Sequence, residues 1–107
     1  MSHPMNMIVN NGSDVTFNCV SFSYAPVNYT WLKNGEILLD DDVHIIISNH
    51  SDEDNNNYTT TLMILDVQLS DNGVYVCNVT NREGTTPSNP ATLSVIGKLQ
   101  LGCSKCY

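Results

Sequence analysis

Few residues in this chain of 107 could do covalent or coordination chemistry: Cys19, Cys77, Cys103 and Cys106, the histidines His3, His44 and His50, and eleven carboxylates. Cys103 and Cys106 form a Cys-x-x-Cys with neither the strand-helix context of a redox enzyme nor a second cysteine pair to complete a zinc site. They read instead as the start of a following segment, or as a local or intermolecular disulfide. The histidines are scattered over a terminus, a strand and a loop, so no metal centre is expected. Asp40-Asp41-Asp42 and Asp52-Glu53-Asp54 lack the ligand spacing of a calcium loop and read as solvated loops. No nucleophile elbow, phosphate loop or dinucleotide fingerprint is present, so neither an enzyme nor a cofactor is expected. The chemistry written most densely is modification: five Asn-x-Ser/Thr sequons place acceptor amides at Asn11, Asn28, Asn49, Asn57 and Asn78.

The elements that must position these residues are strands. Apolar and polar residues alternate throughout, turn residues recur about every eight to twelve positions, and no segment sustains a helical period. In VTFNCV, Val15, Phe17 and Cys19 share one face. NYTWLK puts Tyr29 and Trp31 on one face and runs into Asn34-Gly35, a hairpin signal. A short strand is expected at 37–39 and a β-branched strand at 43–48, followed by a polar surface loop, NHSDEDNNN. Leu62, Ile64 and Val67 point inward before the turn at Asp71, with Tyr75, Cys77 and Val79 after it and Ala91, Leu93 and Val95 in the final strand. With an edge strand over Met5 to Val9, this makes eight segments of an all-β chain.

The net charge of −7 repels phosphate backbones and anionic lipid headgroups, so nucleic acid and direct membrane binding are not expected. No apolar run approaches the roughly 18 residues that would cross a bilayer. The opening MSHPMNM lacks the features of a secretory signal; with the cysteines and sequons, it reads as part of an excised mature segment.

The stretch DNGVYVC, residues 71–77, together with Cys19, Trp31 and LMILDV in order, resembles the immunoglobulin superfamily pattern over residues 5–96, with 97–107 a tail or the start of a further segment. YVCNVTNREG, with Cys77, Asn81 and Gly84, is similar to the intermediate set; a variable-like assignment stays open. The resemblance implies a two-sheet antiparallel Greek-key sandwich, braced by a Cys19–Cys77 disulfide with Trp31 packed beside it. Closing that loop is worth about 4 kcal/mol in the chain-entropy model. It also implies that the Tyr75 hydroxyl bonds back to the turn, that Gly73 supplies a positive φ, and that Asp71 accepts backbone hydrogen bonds. Variable-type domains often pair this aspartate with an arginine; Val43 and His44 stand near that place, so no such ion pair is expected.

The function implied is recognition: one extracellular domain of a cell-surface adhesion molecule or receptor that binds a protein, with self-association one form of it. Leu32 and Val76, outward on the sheet that carries Trp31, and Arg82 and Glu83 at a hairpin tip are the candidate contacts. Asn28 and Asn78 point outward on that same sheet, where glycans would shield part of it. Two alternatives share the fold: an intracellular structural spacer of a giant cytoskeletal protein, and a soluble immune-type recognition protein.

Overall fold

The computed structural model describes residues 2–97; Cys103 and Cys106 lie outside them. The described residues form nine strands: β1 (Met7–Asn10), β2 (Val15–Phe22), β3 (Asn28–Lys33), β4 (Glu36–Leu38), β5 (Ile45–Asp52), β6 (Asn57–Ile64), β7 (Gly73–Asn81), β8 (Gly84–Pro87) and β9 (Ala91–Ile96). A single 3₁₀ turn, Leu69–Asp71, precedes β7. One sheet has the order β1-β9-β7-β3-β4, with β8 also on β7; the other is β2-β6-β5. The expected two-sheet sandwich is thus present. Only the short β4 follows β3 before the chain changes sheets, where a variable-type domain adds two strands.

Alternation dictates the layers, because successive side chains leave a strand on opposite faces. In β2, Val15, Phe17 and Cys19 are buried while Thr16, Asn18 and Phe22 are exposed. β6, β7 and β9 repeat the pattern, so Leu62, Ile64, Tyr75, Cys77, Val79, Ala91, Leu93 and Val95 join one core, with Val67 from the loop after β6. The chain enters on the second sheet, where Ser2 pairs with Val20, passes the buried Pro4, and joins the first sheet through the parallel pairing of β1 with β9. Ordered pairing in β1 therefore starts at Met7 rather than Met5.

Three other expectations need correction. The polar stretch 49–57 is mostly strand: β5 continues to Asp52 and pairs along its length with β6, leaving a turn at 53–56. Tyr58 and Thr60 are buried on the inner face of that hairpin, which gives the polar segment a core to pair over. β5 starts at Ile45, and Val43 is exposed. The strand count rises from eight to nine because β8 returns along β7 after the turn at Arg82 and Glu83.

At the centre, Cys19 and Cys77 form the disulfide between the sheets, with Cα atoms 6.5 Å apart. Trp31 is the cross-strand partner of Cys77, and both are buried. The Trp31 indole N–H donates to Thr60 Oγ1 at 2.9 Å, so the one polar atom of the largest core side chain is satisfied across the core. Phe17 fills the remaining space, its ring 6.5 Å from Trp31 and 5.3 Å from Tyr75 between centroids.

Candidate functional site

The outer face of the larger sheet follows from the same alternation. Because Tyr29, Trp31 and Leu38 turn inward, Leu32 and Ile37 turn outward, and the register sets Ile37 opposite Leu32 and Leu32 opposite Val76. These three form a continuous apolar row across β4, β3 and β7. Leu32 and Val76 are half-buried, whereas Ile37 is 66% exposed. Val74 and Leu39, both exposed, extend the apolar surface at its margins. Leu32 and Val76 are thus brought together as direct neighbours. Ile37, which alternation with Leu38 could have phased, is the member that sequence reasoning missed, because a three-residue strand carries little periodic signal.

The strands are joined at one end by Asn34-Gly35, where both residues have positive φ, 51° and 85°, as a tight two-residue hairpin requires. The Asn34 side chain accepts the Val74 N–H at 2.9 Å and so ties that turn to the start of β7. A Cβ on Gly73 would meet the Asn34 amide at 3.0 Å. Gly73 does not adopt the expected positive φ; its value lies in the close approach of Asn34.

Toward the other end of the same face lie two of the sequons. Asn78 is opposite Thr30, and Asn28 is opposite Thr80. Asn28 is exposed and Asn78 half-buried. Arg82 and Glu83 form the exposed tip between β7 and β8, where the Asn81 side chain accepts the Glu83 N–H. On the second sheet, Asn49 and Asn57 are exposed on β5 and β6; Asn11 is half-buried in the turn after β1.

The corner beneath β7 holds the sheets together by polar contacts. Tyr75 donates its hydroxyl to the Asp71 carbonyl oxygen at 2.7 Å, and the Asp71 carboxylate accepts the Gln68 N–H at 2.8 Å. Burial pushes the Tyr75 phenol well above its ordinary pKa, and the Asp71 carboxylate adds to the effect. Asp71 is buried, so its charge requires a partner. His44 supplies it: Nε2 lies 2.9 Å from Asp71 Oδ2. The place that an arginine takes in variable-type domains is thus filled by an imidazole, which hydrogen-bonds Asp71 and forms an ion pair with it only when protonated. The hydrogen bond to Asp71 raises the His44 pKa, against a lowering by burial.

The acidic run 40–42 also has a structural role that composition hid. The Asp41 carboxylate accepts the N–H groups of Val43, His44 and Ile45, and Asp40 accepts that of Ile47. Those backbone donors hold the Asp41 carboxyl below the usual carboxylate range. The two side chains occupy backbone donors on the free edge of β5, which would otherwise be open to pairing with another chain. Among the described residues, no cluster of His, Cys, Asp and Glu could hold a metal ion. No helix among them is long and apolar enough to cross a membrane.

Comparison with known proteins agrees with this geometry. A family profile described as the immunoglobulin domain matches residues 1–81. The leucine-rich repeats and immunoglobulin-like domains protein 2 of Mus musculus is 36% identical over 97 residues, covering 88% of this chain and 9% of the relative. The netrin receptor DCC of Rattus norvegicus is 27% identical over 89 residues, covering 83% of this chain and 6% of that receptor. This chain thus spans less than a tenth of either relative. Among solved structures, Dpr2 Ig1-Ig2 in complex with DIP-Theta Ig1-Ig3 superposes with a TM-score of 0.75 at 24% identity, over 87% of this chain and 31% of that one. With its disulfide-braced sandwich, its tyrosine at the corner and this match, the chain belongs to the immunoglobulin domain family.

Proposed function

We propose that this domain is an extracellular recognition module, and that it binds a protein partner through the outer face of its larger sheet. The observation that carries the reading is the apolar row Ile37, Leu32 and Val76, which runs across three paired strands and is bordered by Val74 and Leu39. Single exposed apolar residues are ordinary, but a contiguous patch on a rigid sheet is the usual mark of a protein interface. The presence of a receptor, the netrin receptor DCC, among the relatives supports the reading. A disulfide between Cys19 and Cys77 fits an oxidising compartment.

Charge argues for the kind of partner. Eleven carboxylates stand against four basic side chains, and only Lys33 and Arg82 of those four lie among the described residues. Two such surfaces repel each other at long range, whereas a partner with an apolar centre and a basic rim is steered inward. The occupant is therefore a different protein rather than a second copy. Arg82 and Glu83, at the β7–β8 tip, are its peripheral contacts.

The test is a panel of displayed extracellular domains probed with the secreted protein and with its Ile37→Glu and Leu32→Glu variants. The reading requires at least one partner whose binding weakens more than tenfold in both variants while their melting temperatures stay near that of the parent. A partner bound equally well by all three proteins contradicts the face. Self-association at micromolar concentration, with no other partner found, contradicts the choice of occupant.

A further inference from the structure

On the outer face of the smaller sheet, β2 presents Thr16 and Asn18, then the half-buried Val20, and at its end the exposed Phe22. Phe22 is 57% exposed and Tyr24 is 85% exposed, yet their rings touch each other, with centroids 5.0 Å apart and planes at 83°. Isolated exposed aromatics need no cause, but two in contact with each other make an apolar patch that soluble surfaces tend to cover. The register shows what stands beside them. Phe22 is the cross-strand partner of Asn57, the acceptor asparagine of the sequon Asn57-Tyr58-Thr59.

The pairing is close. Ser23 donates its N–H to the Asn56 carbonyl at 2.9 Å, so Phe22 and Asn57 form the neighbouring non-hydrogen-bonded pair, where Cα atoms lie about 4.5 Å apart and side chains stand nearest. Both residues are exposed on the same face. The other sequons on strands have no such neighbour. Asn28 faces Thr80, Asn49 faces Thr60, and Asn78 faces Thr30 and Pro87.

We propose that Asn57 carries an N-linked glycan whose first N-acetylhexosamine lies over Phe22 and Tyr24. The sugar is joined through the Asn57 side-chain nitrogen, so its ring emerges one side-chain length from the Phe22 ring. One face of a pyranose presents axial C–H bonds, which are weakly positive, and an aromatic face is electron-rich. Stacking satisfies both and removes apolar surface from water. The sugar then acts as a permanent cover for the aromatic pair. It lies on the sheet opposite the apolar row Ile37, Leu32 and Val76.

This inference rests on the extracellular reading above, and its test separates the two. The chain is secreted from mammalian cells, sugar occupancy at all five sequons is read by peptide mass spectrometry, and melting is compared for the parent, Asn57→Gln, Phe22→Ser and the double variant. Asn57 is expected to be occupied, and Asn57→Gln lowers the melting temperature by about 4 °C, the size of one aromatic contact in a domain of this length. In the Phe22→Ser background the same loss disappears. Trimming the glycan to its first sugar leaves the parent unchanged, and proton NMR shows that sugar's protons shifted upfield by the ring current. Sugars found at other sequons but not at Asn57, or an equal loss in both backgrounds, overturn the stack and leave the extracellular reading standing. No sugar at any sequon, with Cys19 and Cys77 reduced, overturns both.

Discussion

The centre and the corner of this sandwich hold the same two sheets by different means. At the centre, Cys19–Cys77, Trp31 and Phe17 form a covalent and apolar brace, with a polar link between the sheets from the Trp31 indole to Thr60. At the corner, Tyr75, Asp71 and His44 form a hydrogen-bonded chain that ends in a titratable pair. Tyr75 belongs to both, with its ring near Phe17 and its hydroxyl on the Asp71 carbonyl. The difference teaches a division of labour. The centre supplies most of the stability at any pH, while the corner sets where the chain turns and makes stability respond to protons.

Breaking the centre has the largest effect. Trp31→Ala leaves a large cavity and strands the Thr60 hydroxyl, and costs about 3–5 kcal/mol. Replacing Cys19 and Cys77 by alanine costs about 4 kcal/mol. Either is a large share of a small domain's net stability, so both variants melt broadly or are retained unfolded, as circular dichroism or secretion yield shows. At the corner, Tyr75→Phe keeps the stacked ring and removes one buried hydrogen bond. It costs about 1–2 kcal/mol, read as a lower urea midpoint with unchanged slope.

The pH dependence is smaller and its sign is fixed. His44 gains a partner on folding, so its folded pKa lies above the unfolded value of 6.5. The stabilisation by its protonated form is therefore complete below about pH 6.5 and is lost as pH rises through the folded value. For a partly exposed pair this amounts to about 0.5 kcal/mol. The melting temperature of the parent falls slightly from pH 6 to pH 8.5, and His44→Gln removes that slope. A parent with no slope, or one that gains stability over this range, would show that the pair does not hold the corner. Smallest of all, Ile37→Glu on the outer face changes stability by less than about 0.5 kcal/mol, which makes binding its only large readout.

Much of the centre was legible in the sequence because its parts are local and periodic. Val15, Phe17 and Cys19 share a face by alternation alone, and the resemblance of DNGVYVC to the immunoglobulin pattern implies the corner hydroxyl of Tyr75. What stayed hidden depends on partners distant in sequence. Residues 49–52 read as loop by composition, and only pairing with β6 over Tyr58 and Thr60 makes them strand. His44 meets Asp71 across 27 positions; the resemblance put His44 near the place of an arginine partner, but an imidazole standing there hid the contact. Gly73 reads as a positive-φ position in the sequence, whereas its constraint is the Asn34 side chain folded against it. The proposed recognition face was half visible: Leu32 and Val76 follow from phase, while Ile37 joins them only once β4 is in register.

The cross-brace itself is tested most directly by alkylating the natively purified protein without reductant and mapping its peptides by mass spectrometry. The account predicts one peptide pair joined through Cys19 and Cys77, which separates on reduction. Recovery of both cysteines individually alkylated from folded, monodisperse material would contradict it.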